Sequence, residues 1–165
     1  MSTGSLGQGI SAAVGMALSA KHWGDPWRVY TLLGDGEVEE GQVWEAAMFA
    51  GNHGLDNLVV IVDHNGLQID GTIEEVNSAM PIADKFRAFK FHVIELADGN
   101  DMAQIRAAFA EAREVVGRPV CIVAETVKGK GVSFMEGQVG WHGKAPNDEQ
   151  FEQAMAELEA AGKEL

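Results

Sequence analysis

Four short apolar runs constrain this chain more than any other feature: Val29–Leu33, Leu58–Val62, Val93–Leu96 and Val120–Ala124. They are rich in β-branched residues, as buried strands should be. Segments with helical spacing lie between them. Ile10–Ala20 is Ala-rich, and Val43–Ala50 carries apolar residues around much of its circumference. Asp101 reads as the N-cap of a helix running to about Val116, closed by Gly117 and Pro119. A last helix is expected from Asn147 or Asp148, where Asp148 and Glu149 suit its positive end. It runs through Phe151–Ala161 with Met155 and Leu158 turned inward. Strand alternating with helix requires crossover connections. The expected fold is therefore α/β, a mostly parallel sheet with helices on both faces.

Two segments, Asp63–Met80 and Val127–Pro146, fit neither period and are expected to be irregular. Both follow the C-terminal end of an expected strand, which is where open α/β sheets place their ligands. No repeat, low-complexity linker or boundary divides residues 1–165, and 46% hydrophobic content is enough for one domain with its own core. The net charge of −13 argues against a nucleic-acid surface, which needs clustered Lys and Arg, and reads as a solvated outer face. Cys121, the one cysteine, sits inside an apolar run and reads as a small buried hydrophobe. No run reaches membrane-spanning length, so a soluble cytoplasmic protein without a membrane partner is expected.

The chemistry concentrates at two strand ends. Gly34-Asp35-Gly36 closes the first strand and Asn65 follows the second, thirty positions after Asp35. A diphosphate-bound Mg²⁺ needs hard oxygen ligands in octahedral array: carboxylate, amide or backbone oxygen, phosphate oxygens and water. Asp35 and Asn65 supply the first two if their strands are neighbours. Glycine on either side of Asp35 lets the backbone approach a phosphate and donate N–H groups to it. The positive end of the following helix is expected to point at the same anion. Taken alone, Gly-Asp-Gly is most often a tight turn. Met1 leads straight into the Gly-rich stretch Ser2-Thr3-Gly4-Ser5-Leu6-Gly7-Gln8-Gly9, a ligand-type loop entering a helix with no strand before it.

Gly34-Asp35-Gly36-Glu37…Asn65 resembles the signature of thiamine diphosphate enzymes. Its context, Leu33 through Ala46, is similar to transketolase in particular. So are Ser2–Gly9 followed by Ala13-Val14-Gly15-Met16-Ala17, Asp63–Gly71, and Lys128-Gly129-Lys130-Gly131 leading to Trp141-His142-Gly143. The resemblance implies the diphosphate-binding domain of that family, with thiamine diphosphate and Mg²⁺, or another divalent cation such as Ca²⁺ or Mn²⁺. It implies that Asp35, the Asn65 side chain and the Leu67 carbonyl bind the metal. Gly34 and Gly36 would line the diphosphate, with the Gly36 N–H donating to it. Gly4, Ser5 and Leu6 would form the loop against the aminopyrimidine side. His142 would reach the diphosphate and the reacting substrate, as a proton donor or transition-state stabiliser. Glu40 and Glu45 would lie at a subunit interface; read from residues alone, two helix glutamates are solvated charges. His22, His53, His64 and His92 read as structural or surface residues, and Trp23, Trp27, Trp44 and Trp141 as core or interface aromatics.

The implied reaction passes a two-carbon ketol unit from a ketose phosphate to an aldose phosphate, as in the pentose phosphate pathway. The family's pyrimidine-binding domain, with its activating glutamate and sugar-phosphate arginines, is not represented in these residues. The expected partner is therefore a C-terminal, pyrimidine-binding transketolase subunit, in a hetero- and homo-oligomer. The domain is expected to lack its N-terminal segment, and the chain to be inactive alone. Alternatives left open are a deoxyxylulose-phosphate synthase-like or dehydrogenase E1-like enzyme, a subunit specialised for another sugar phosphate, and a non-catalytic relic.

Overall fold

The structure, a computed structural model, describes residues 4–163. Ser2 and Thr3 of the Gly-rich loop lie outside the described residues. Helix α1 (Gly9–Trp23) comes first and ends at Gly24, whose φ of 74° supplies the left-handed cap an L-residue resists. Strand β1 (Val29–Gly34) follows, then a 3₁₀ turn at Glu37–Glu39, helix α2 (Gly41–Asn52) and strand β2 (Leu58–His64). A two-residue hairpin, β3 (Leu67–Gln68) and β4 (Gly71–Thr72), leads into the short helix α3 (Ile73–Val76) and helix α4 (Ile82–Ala88). Strand β5 (His92–Leu96), helix α5 (Met102–Glu114), strand β6 (Val120–Glu125) and helix α6 (Asp148–Gly162) complete the order.

All four long strands run parallel, in the order β1-β2-β6-β5. Each expected strand is present, extended by a residue or two. Alternate residues divide the sheet into two faces. Leu33, Val60, Val62, Cys121 and Val123 pack on α1, α2 and α4 in the larger core cluster. Val59, Ile94, Leu96, Val120, Ile122 and Ala124 pack on Ala108 and Ala112 of α5. Each fully buried Val, Leu or Ile contributes about 1.5–3 kcal/mol by leaving water. Helix α5 reaches β1 through Phe109, whose ring lies 5.8 Å from that of Tyr30, while Leu32 on that face stays 67% exposed. Cys121 is buried, and desolvation pushes its thiol far above the usual range, as expected of an inert core residue.

Several local expectations need correction. The segment Asp63–Met80 is not wholly irregular, because the β3–β4 hairpin and a Thr72–Glu75 capping box order it. Helix α4 carries no periodic signal long enough to stand out, yet it buries Phe86 and Ile82 in the main core. Asp101 caps α5 by accepting from the Ala103 N–H at 2.7 Å. That helix ends at Glu114, before Val116, because Val115 turns extended and Asp56 captures the Gly117 N–H at 2.8 Å. Helix α6 starts where expected, with an Asn147–Gln150 capping box. Met155 and Leu158 do not face inward; they are 40% and 45% exposed. The helix is instead fastened through Ala154 and through Glu157, whose carboxylate accepts from both Ser133 N–H and Ser133 Oγ. Of the tryptophans, Trp44 packs on Phe86 and Phe89, whereas Trp23 stands 75% exposed.

Candidate functional site

Strands β1 and β2 are neighbours in register Gly34↔Asp63, so Asp35 and Asn65 emerge side by side at the C-terminal edge of the sheet. The Asp35 N–H donates to the Asp63 carbonyl at 3.1 Å, prolonging the pairing past the strand end. Asp35 is 1% exposed, the one buried charged residue among those described. Its Oδ1 accepts from the Gly36 N–H at 2.8 Å and its Oδ2 from the Gly66 N–H at 2.6 Å. Burial raises its pKa above the ordinary carboxylate value, and those two donors pull it down without cancelling the desolvation. No Lys or Arg pairs with Asp35 or Asp63 among the described residues. A buried carboxylate in that position is short of positive charge.

Asn65 is held in a defined orientation. Its Oδ1 accepts from the Leu67 N–H at 3.1 Å, and its Nδ2 donates to Asp63 Oδ1 at 3.3 Å. Thr126, just past β6, donates its hydroxyl to the same Asp63 oxygen, and its N–H to the His64 carbonyl at 3.0 Å. His64 in turn meets Glu125 at 2.6 Å. Strand ends β2 and β6 are thereby tied together beneath the Asn65 turn. Gly36 packs tightly on Gln68, where an added Cβ would meet the Gln68 Cβ at 3.1 Å. Gln68 Nε2 donates to Glu39 at 2.9 Å, so the hairpin closes over the Gly-Asp-Gly turn.

One cleft of about 490 Å³ gathers Leu6, Gly34, Asp35, Gly36, Asn65, Leu67 and His142. Of the sequence-derived site residues, only Gly4 and Ser5 stand outside its wall, exposed on the loop that carries Leu6. The cleft also holds Glu37, Asp63, Gln68 and Lys128. A strand-end carboxylate two positions before Asn65 was the one sequence signal for Asp63; nothing local singled out Thr126. His142 sits on the long loop after β6, with Lys128 Nζ 3.3 Å from its Nδ1. A lysine ammonium can only donate, so Nδ1 is the acceptor in this contact. A 3₁₀ turn separates the Gly-Asp-Gly turn from α2, so α2 does not follow it directly. Glu40 and Glu45 are exposed in the single chain.

The donor set suits a hard divalent cation: one carboxylate, one side-chain amide oxygen and a nearby backbone carbonyl. Among the described residues no three His, Cys, Asp or Glu converge, so remaining ligands would come from amide, backbone, phosphate or water oxygens. A parallel α/β sheet with an oxygen-lined cleft at the ends of two adjacent strands defines a cofactor-binding domain of the diphosphate-and-metal class. Residues 1–163 match the family described as transketolase, thiamine diphosphate binding domain, and the chain belongs to that family. It is 48% identical over 162 residues to 6-deoxy-6-sulfo-D-fructose transketolase subunit SqwG of Clostridium sp. (strain MSTE9), covering 98% of this chain and 58% of that protein. It is 44% identical over 158 residues to one of the subunits of apulose-4-phosphate transketolase from Phocaeicola vulgatus, covering 96% of this chain and 56% of the relative. Transketolase from Campylobacter jejuni superposes with a TM-score of 0.86 at 33% identity, over 93% of this chain and 25% of that one. The chain thus spans a little over half the length of the first two relatives.

Proposed function

We propose that this chain is the diphosphate- and metal-anchoring part of a transketolase that works with a pyrimidine-binding subunit. The reading is carried by one observation: the buried Asp35 carboxylate, with no Lys or Arg paired to it among the described residues, faces a cleft shared with Asn65, Leu67 and His142. Asp35, the Asn65 amide oxygen and the Leu67 carbonyl are the proposed metal ligands, with Mg²⁺ the cation their oxygen chemistry favours. Gly34 and Gly36 let the backbone approach the diphosphate. The Gly36 N–H, now turned to Asp35 Oδ1, is the donor available to it. Leu6 supplies an apolar wall for the organic half of the cofactor, with Gly4 and Ser5 on the same loop. Bound thiamine diphosphate supplies the nucleophilic carbon that carries a two-carbon unit between sugars.

Around it, His142 is the imidazole of the cleft wall, suited to hold or give a proton. Lys128 adds a positive charge at the cleft mouth, where anionic sugar phosphates enter. The relatives named as transketolase subunits support a partner chain. The test is to co-express the chain with a pyrimidine-domain partner, then measure complex mass together with ketol transfer. A stable complex that transfers the unit, while the pure chain gives no turnover with xylulose 5-phosphate and ribose 5-phosphate, supports the reading. Turnover by the pure chain, or a stable complex without transfer to any sugar phosphate, contradicts it.

A further inference from the structure

Glu37 bridges two loops that the cofactor reading uses for different halves of one ligand. Its Oε1 accepts from the Gly7 N–H at 2.9 Å and its Oε2 from the Gly34 N–H at 3.3 Å. Gly7 belongs to the loop that carries Leu6 into the cleft; Gly34 ends β1, one residue before Asp35. A carboxylate that accepts two backbone N–H groups makes charge-assisted bonds, stronger than neutral ones. The two loops differ in what else holds them. Gly34 is fixed independently by its place opposite Asp63 in the sheet. The Gly7 loop is pressed against the turn that bears Glu37: at φ 75°, a Cβ on Gly7 would lie 2.7 Å from the Glu40 Cβ. Contact sets how near the loop can come, and the Glu37 bond keeps it there. Gln8 Nε2 donates to Gln42 Oε1 at 2.5 Å and ties the end of the loop that enters α1. Losing the Glu37 bond therefore loosens the loop at Gly7 without detaching it, while the sheet keeps the Gly-Asp-Gly turn in place.

We propose that Glu37 is a positioning residue. Its carboxylate sets the spacing between the loop at 4–6 and the turn at 34–36, so that the cleft takes the organic half of the cofactor as well as its diphosphate. This rests on the cofactor reading above. It separates two ligands that share a diphosphate: Mg²⁺–thiamine diphosphate needs both loops, and Mg²⁺–inorganic diphosphate needs only the turn.

The test is calorimetric titration of the full chain with each ligand, for wild type, Glu37→Ala and Glu37→Gln, with amide exchange at Gly7 read on the ligand-free proteins. In Glu37→Ala the preference for thiamine diphosphate over inorganic diphosphate falls about tenfold, the equivalent of losing one charge-assisted backbone bond. Affinity for inorganic diphosphate is retained. Gly7 exchange accelerates while the core amide of Val60 stays protected. Glu37→Gln keeps the reach but can serve one N–H with its amide oxygen, so its preference lies between the other two. Equal loss for both ligands marks a merely structural residue and overturns the proposal, as does an unchanged preference or unchanged Gly7 exchange. A wild-type chain that binds both ligands while the variants match it sinks the Glu37 role alone. A wild-type chain that binds neither sinks the cofactor reading and this inference with it.

Discussion

Replacing Thr126 with valine removes one hydroxyl and tests how the Asn65 amide is aimed. Thr126 Oγ1 donates to Asp63 Oδ1, and that same oxygen receives the Asn65 Nδ2 at 3.3 Å. Valine preserves the shape and leaves the backbone N–H at position 126 on the His64 carbonyl. A hydrogen bond to a charged acceptor contributes about 1.5–3 kcal/mol, and this half-buried pair belongs at the lower end. About 1.5 kcal/mol expressed in metal binding weakens Mg²⁺ roughly tenfold, within the range typical of groups that orient a metal ligand. Titration calorimetry of Mg²⁺ in saturating thiamine diphosphate reads that change directly. Thr126→Ser keeps the hydroxyl and restores most of the affinity. Unchanged Mg²⁺ affinity in Thr126→Val would refute the idea that Asp63 and Thr126 aim the Asn65 oxygen.

Three further outcomes follow from other parts of the molecule. Because burial raises the Asp35 pKa, its protonated form favours the ligand-free fold; that stability is full below the ordinary carboxylate value and is lost as pH rises through the folded-state value. Denaturant unfolding across acid to neutral pH should therefore show a smaller decline in Asp35→Asn than in wild type without metal, and an equal decline would count against a strained carboxylate. Asp56 has the opposite sign: hydrogen bonds from Lys21 and from the Gly117 N–H outweigh burial and lower its pKa, so its contribution is present above the ordinary value and fades as pH falls through the folded value. Asp56→Ala should cost about 1–2 kcal/mol near neutral pH and less in acid, measured by the same unfolding curves. Gly51→Ala should cost about 3 kcal/mol, the top of the range for overpacking, because its Cβ would lie 1.8 Å from the Phe89 carbonyl oxygen. A thermal midpoint within a degree or so of wild type would contradict that packing.

The sheet was legible because its strands are apolar on both faces, so runs such as Leu58–Val62 stand out without help from periodicity. Its order was not, since nothing in β6 says that it inserts between β2 and β5. Helix α4 is too short for a periodic signal, and its burial comes from Phe86 meeting Trp44 and Phe91, contacts that are distant in sequence or lie beyond the helix. Inward faces of α6 could not be read from hydrophobicity, because a small residue, Ala154, and a polar clasp at Glu157 decide how it docks. In the site, Asp35 and Asn65 were readable from their chemistry and spacing. Their supports were not: Glu37, Thr126 and Gln68 act through single side-chain bonds to backbone or carboxylate partners that only the fold brings near.

The metal-dependent anchor is probed at its root by titrating the chain with thiamine diphosphate, with and without Mg²⁺. Binding should require the divalent metal and disappear in Asp35→Ala while the fold persists. Binding that is indifferent to the metal, or that survives Asp35→Ala unchanged, would show that the anchor lies elsewhere.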